Sequence, residues 1–360
     1  MVERLSDEFA FAVLTGDRDL GDEKPYPHIR CNEWQRVGKA DVMYLPPSRQ
    51  RMASWTQHFA QVPHDLVYLN SLLSTQFTIF PMLLRLLKRL PDKPVVLAPR
   101  GMFSPGFLAL KSAKRCNYIR AARTIGLFRD ITWQASSEYE EADIRRWFGG
   151  GARVVVAPNV PRPVVSNLTE CRVAEKQPGR LKIVFLSRIS PKKNLDGALE
   201  LLSLLRGDIE FAIYGPREDV EYWQRCESLI ASLPANIKVS YCGEIPNELV
   251  GEAMAKSHVF LFPTRGENFG HVILEAFLSG CPVVISDQTP WRNLEAARVG
   301  ADIPLEDKKR FVRVLQQFVD MDRDAFTEWA TNARAYGCRY SENDEVLEKN
   351  RVLFRQALAG

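Results

Sequence analysis

The stretch from Val259 to Asp287, VFLFPTRGENFGHVILEAFLSGCPVVISD, constrains this chain more than any other. VFLF is a short apolar run suited to a buried parallel strand, and PTRGEN supplies loop residues. HVILEAFLS has helical apolar spacing, Gly280 can end that helix, and CPVVIS opens the next strand. Two glutamates, Glu267 and Glu275, stand eight positions apart across the loop-to-helix junction. Asn268 is the candidate N-cap, and Gly270 is where a ligand can come close to the backbone. Glu275 falls one turn into the helix, on the face that carries His271. A helix start offers free amide N–H groups and partial positive charge to a phosphate, while a carboxylate one turn in can accept two ribose hydroxyls. The arrangement suits a sugar nucleotide. The glutamate spacing alone recurs by chance in solvated helices; the order of elements around it gives it weight.

A chain of 360 residues is long enough for two domains. The boundaries expected are an N-terminal domain over 1–160, a linker over 161–180 rich in proline and polar residues, a C-terminal domain over 181–340 and a last helix over 341–360. Forty-eight Lys and Arg against 44 Asp and Glu leave a net charge of +4, which is no argument for a nucleic-acid partner. The 7 cysteines are scattered and odd in number, as in a reducing compartment rather than a disulfide framework. No leader opens the chain and no apolar run approaches the length of a membrane span, so a cytoplasmic protein is expected.

The first half alternates strand and helix signals. Strands are expected at Phe9–Leu14, Asp41–Leu45, Asp65–Asn70, Pro94–Pro99, Ile131–Ser136 and Ala152–Ala157, with helices such as Thr78–Leu90 and Ser137–Phe148 between them. That alternation predicts a parallel α/β sheet, whose ligands sit outside the carboxyl ends of the strands. By that rule Asn70, and Arg100 with Gly101, are candidate site residues. Arg100 has two readings: it faces a phosphate or acid on a substrate, or it pairs with a surface carboxylate. Residues 111–129, KSAKRCNYIRAARTIGLFR, form a basic helical pattern, either a solvated face or a contact with an anionic membrane surface. No nucleic-acid module accompanies the charge.

The second half opens on LKIVFLS (181–187), a run fit for a central parallel strand. Arg188 follows it directly, and Lys193 precedes a helix expected over Leu195–Leu205. A departing diphosphate needs two such cations to offset its growing charge. Alone, they read as ordinary basic loop residues. Further strands are expected at Glu210–Tyr214, ending on Gly215, and at Ile237–Tyr241, ending on Cys242 and followed by Ile245. His258, at a strand edge, reads as structural. QTPWRNLEAARVG reads as loop then helix, and two amphipathic helices and a final one over Asn343–Leu358 follow.

The Glu267…Glu275 pair, the GCPVV strand after it and the Arg188…Lys193 pair resemble the donor site of retaining GT-B glycosyltransferases, the family 4-like group. The resemblance covers about residues 65–340. It implies a GT-B fold: two Rossmann-like α/β domains facing a cleft, the N-terminal one without its first strand–helix unit. It also implies transfer of a sugar from an NDP-sugar to an acceptor hydroxyl with retention of configuration, the acceptor being a saccharide or lipid-linked saccharide. Polysaccharide or lipopolysaccharide assembly at the inner face of the cell membrane is the implied setting. By the same resemblance Arg188 and Lys193 bind the diphosphate and Glu275 the ribose. Glu267 and the Asn268, Phe269, Gly270 and His271 amides orient the donor sugar. Gly215, Cys242 and Ile245 lie on the nucleotide side. His271 itself either touches the ligand or caps its helix. No metal or other cofactor is expected, because the two cations take its place and no Asp-x-Asp motif occurs. Two alternatives stay open: a nucleotide-sugar epimerase or hydrolase of the same fold, and a truncated scaffold without activity.

Overall fold

The computed structural model describes residues 1–19, 23–104, 107–108, 112–161 and 174–360. Most of the expected linker lies outside these residues. Two compact units account for the chain, Met1–Pro163 with Asp344–Gly360, and Val164–Asn343.

The first unit opens with α1 (Val2–Leu5), β1 (Ala12–Gly16), β2 (Trp34–Val37), β3 (Ala40–Leu45) and α2 (Met52–Ala60). It continues with β4 (Val67–Asn70), α3 (Phe80–Leu86), β5 (Val95–Ala98), α4 (Ser112–Thr124), β6 (Thr132–Ala135), α5 (Glu138–Phe148) and β7 (Arg153–Val156). Strands β4-β5-β6-β7 form a parallel sheet in that order. Val95, Val96, Leu97 and Ala98 are all buried, as a strand covered on both faces requires. Helix α5 starts where Ser137 accepts a hydrogen bond from Glu140 N and stops at Gly149, φ 85°.

Three local expectations are corrected in this unit. The first strand is Ala12–Gly16, because Phe9 and Phe11 are taken up in ring packing instead. Strand β2 is additional, hairpinned antiparallel onto β3 with Val37 opposite Ala40. The helix expected over Thr78–Leu90 begins as a widened turn, Thr75–Ile79, and is regular only over Phe80–Leu86. Pro81 has no amide proton to close a regular turn there.

The second unit contains β8 (Arg180–Leu186), α6 (Leu195–Leu202), β9 (Asp208–Tyr214), α7 (Val220–Ala231), β10 (Ile237–Gly243) and α8 (Asn247–Ala255). Then come β11 (Val259–Phe262), α9 (His271–Leu278), β12 (Val283–Ser286), β13 (Gly300–Ile303), α10 (Lys308–Asp320) and α11 (Arg323–Ser341). All six strands are parallel, in the order β10-β9-β8-β11-β12-β13. The apolar runs of β8, β11 and β12 are buried in one core. The helix expected after Asp287 is absent: Asn293 and Arg298 take left-handed φ of 58° and 52°, and the segment turns into the edge strand β13. The last helix, α12 (Asp344–Ala359), belongs to the first unit, where Leu353 and Ala357 pack on Val96 and Ala157.

His258 is 1% exposed beneath β11. Lys182 N donates to its Nδ1 at 2.8 Å, so the proton sits on Nε2 and is given to Glu175 O at 2.9 Å. Burial, with Lys176 and Lys182 nearby, pushes its pKa down to about 4 from 6.5, against the opposing bond to Glu175. The unfolded imidazole therefore takes up a proton in a window where the folded one refuses it. Stability falls as pH drops from about 6.5 to about 4, and the loss is complete below that. His258→Asn, which keeps an acceptor for Lys182 N, is expected to remove on the order of 3 kcal/mol of that acid sensitivity. Urea titrations at neutral and acid pH measure it.

Candidate active site

Two loops of the second unit are sewn together along one seam. After β8 the chain makes a short turn, Pro191–Lys193, and Asn194 takes a left-handed conformation, φ 61°. Asn194 Nδ2 donates to Pro263 O at 2.8 Å, and its Oδ1 accepts from Arg265 Nη2 at 2.8 Å. The Lys192 carbonyl accepts from Arg265 N at 2.8 Å and Thr264 Oγ at 3.2 Å. This stitching carries the Lys193 ammonium onto the Glu267 carboxylate, where the two form an ion pair. Their side chains are only 12% and 17% exposed, and the ammonium also lies 5.2 Å from the centre of the Phe262 ring. Glu267 is held from behind by its own N–H, which donates to Gln288 O at 2.8 Å.

Helix α9 starts four residues beyond Glu267, but its N-cap is Gly270 rather than Asn268. Gly270 is left-handed, φ 77°, and a Cβ there would sit 2.7 Å from Ile273 Cδ1. No side chain caps this helix start. His271, the first helical residue, is exposed with its ring 4.6 Å from that of Phe269. Phe269 is buried among Trp291 and Tyr340, and Trp291 Nε1 donates to its carbonyl at 2.6 Å. Glu275 is half-buried in the second turn.

Arg188 pairs with Glu218 rather than with Glu267. Its side chain is 64% exposed and bonds Glu218 at 2.7 Å, beyond the end of β9. The strand ends beneath it interlock: Ser187 N donates to Tyr214 O at 3.1 Å and Gly215 N to Gly243 O at 2.8 Å. A Cβ at Gly215, φ 127°, would overlap the Ser187 carbonyl oxygen. Gly215 thus serves the path of the backbone into Arg188. Burial, aided by the Cys242 thiol, raises the Tyr214 pKa. Cys242 is exposed and Ile245 half-buried against the core.

In the first unit the residues expected at the strand ends meet. Arg100 Nε donates to Asn70 Oδ1 at 2.6 Å, Nη2 to Tyr68 Oη at 2.8 Å, and Nη1 to Asn159 Oδ1. Tyr68 passes its own proton to Gln134 Oε1. Buried Gln134 donates to Ala157 O at 2.8 Å, and buried Asn350 of α12 donates to Pro158 O at 2.9 Å. The Gly101 amide is taken by Glu140, a buried carboxylate that also accepts from Ser136 N at 2.8 Å and Ser136 Oγ at 2.7 Å. The reading of Arg100 as partner to a surface carboxylate is therefore corrected: its partners are neutral oxygens.

Residues 169–336 match the family model described as glycosyl transferases group 1. The match, just under half of the chain, makes this stretch a domain similar to the glycosyl transferases of group 1. That domain holds the whole Lys193–Glu267 seam and α9. A curated relative, the O-antigen chain mannosyltransferase B of Escherichia coli, is 30% identical over 112 residues, 29% of this chain and 28% of its own length. The chain spans about a quarter of the length of the curated relatives it matches. Sucrose-phosphate synthase from Thermosynechococcus elongatus shares the fold at a TM-score of 0.69 and 17% identity, covering 99% of this chain and 92% of that one. Anabaena HepE in complex with UDP and glucose does so at 0.67 and 14%, covering 97% and 100%. The fold is GT-B, two Rossmann-like α/β units.

Within the group 1 domain, sequence reading missed Asn194, Thr264 and Arg265, which build the seam, and Glu218, which holds Arg188. Asn194 carried a usable signal, a small polar residue directly before a helix, where left-handed asparagine is common. Glu218 carried none. In the first unit Tyr68, Gln134, Asn159 and Asn350 were missed, because their partnership joins two strands, a loop and the last helix.

Proposed function

We propose that this chain is a retaining glycosyltransferase that moves a sugar from an NDP-sugar to an acceptor hydroxyl. The observation that carries the reading is the covered Lys193 ammonium, fixed beside Glu267 at the uncapped start of α9. A covered cation close to a helix start, with the positive end of its dipole, suits a diphosphate. The group 1 match and the UDP in HepE support a nucleotide-sugar donor. Lys193 then offsets charge on the departing diphosphate, with Arg188 joining once it leaves Glu218. Glu275 accepts from the ribose hydroxyls and Glu267 orients the donor sugar. These two cations do the work of a metal ion.

The bond from the sugar C1 to the diphosphate oxygen breaks, and its electron pair stays on that oxygen. The acceptor oxygen bonds C1 on the same face, and its proton passes to the departing phosphate. No side chain is needed as base. The O-antigen relative supports a role in polysaccharide assembly on a saccharide or lipid-linked acceptor. Contact with an anionic membrane surface would fall to exposed Lys114 and Arg120 of α4. Arg115 and Arg123 are engaged within the unit, with Phe107 O and Trp147 O.

The test is release of NDP from a panel of sugar nucleotides with and without a saccharide acceptor pool. Release that depends on acceptor is the expected result. A new sugar nucleotide without transfer would make the chain an epimerase, and no turnover of any donor would make it a scaffold.

A further inference from the structure

We infer that Arg100 is an oxyanion-recognising residue, and that the acceptor carries a phosphate or carboxylate group which it binds. The inference rests on the glycosyltransferase reading and names its acceptor class. Many arginines of this chain are paired with carboxylates, as Arg180 with Asp208 and Arg351 with Glu8, although Arg115, Arg123 and Arg265 bond neutral oxygens. Arg100 is given three oxygens instead, from Asn70, Asn159 and Tyr68, all uncharged. Among the described residues none of its partners is a carboxylate. Glu140, which touches the same loop, gives its oxygens to Gly101 and Ser136.

Neutral acceptors fix the guanidinium without cancelling its charge. The three bonds leave one N–H on each terminal nitrogen without a described partner. That pair is what phosphate and carboxylate groups take side by side. The fork is held by depth rather than by chance: Tyr68 is anchored on Gln134, 1% exposed, and Gln134 on Asn350, 0% exposed. Backbone strain marks the same place. Arg100 and Ser71, at the ends of β5 and β4, take φ of 57° and 96°, rare for residues with a Cβ. Strand carboxyl ends are where parallel sheets receive ligands. A cation prepared in this way saves the ordering cost on binding.

The test titrates the full chain calorimetrically with glucose, glucose 6-phosphate and glucuronate, in wild type, Arg100→Gln and Arg100→Lys. At least one anionic sugar is expected to bind tenfold or more tightly than glucose. Glucose 6-phosphate alone would mark a phosphate, and glucuronate alone a carboxylate. Arg100→Gln should bring the preferred ligand down to the level of glucose, and Arg100→Lys, which keeps charge but loses the fork, should fall between. Equal binding of all three sugars, absence of any anionic binding, or a preference that survives Arg100→Gln would overturn the inference. So would loss of UDP and GDP binding in Arg100→Gln, which would assign the guanidinium to the donor. Failure of wild type to bind either nucleotide would sink the glycosyltransferase reading by itself, whatever the sugars do.

Discussion

Lys193→Ala is expected to lower acceptor-dependent NDP release by about 10²–10³-fold, the usual loss when one prepared charge-stabilising group is removed. The effect should fall mainly on kcat, because charge on the departing phosphate grows as the sugar bond breaks. A surface lysine would not behave so. Lys193 is 12% exposed, fixed between the Glu267 carboxylate and the Phe262 ring, and carried there by bonds from Asn194, Thr264 and Arg265. Removing it also strands Glu267 at 17% exposure, where an unpaired carboxylate repels an incoming diphosphate. Steady-state kinetics on the best donor decide the matter. A loss under threefold would make the pair a structural contact.

Gly215→Ala should cost about 2–5 kcal/mol, the sum of left-handed strain and overpacking. The added carbon meets the Ser187 carbonyl, which is backbone and cannot rotate away. Ser187 and Gly215 are tied into the ends of β8, β9 and β10, so relief must move the approach to Arg188. Thermal unfolding should show a midpoint lowered by roughly 5–15 °C. Gly151→Ala is the control: nothing lies within 4 Å of its Cβ position, and its midpoint should stay put.

What the sequence revealed followed from how local each signal is. VFLF and GCPVV announce buried parallel strands because both faces must be apolar, and both strands lie where expected. Strand β13, GADI, has too few apolar residues to stand out, and β2 is a short, half-exposed edge. The segment after Asp287 has helical composition, yet the left-handed Asn293 and Arg298 forbid a helix, and composition does not report φ. The cap of α9 was misplaced for a similar reason. A strained loop called for glycine at the last position, overriding the preference for asparagine.

The site was legible in its residue types and not in its partnerships. Lys193 and Glu267 were each marked by local pattern, but they lie 74 positions apart, and only the parallel order β8-β11 brings their loops together. Arg188 was marked equally well, yet its partner is Glu218, which no pattern distinguished. Arg100 was left between two readings because its surroundings come from β4, from the loop at Asn159 and, through Gln134, from α12.

The central claim is that a nucleoside diphosphate binds where the Lys193–Glu267 seam meets α9, with its ribose on Glu275. Calorimetric titration of UDP and GDP into wild type and Glu275→Ala, with circular dichroism to confirm an intact fold, tests it most directly. The account predicts that wild type binds one of the two and that Glu275→Ala weakens that binding at least tenfold, about 1.4 kcal/mol. Equal affinity in the two proteins would contradict it.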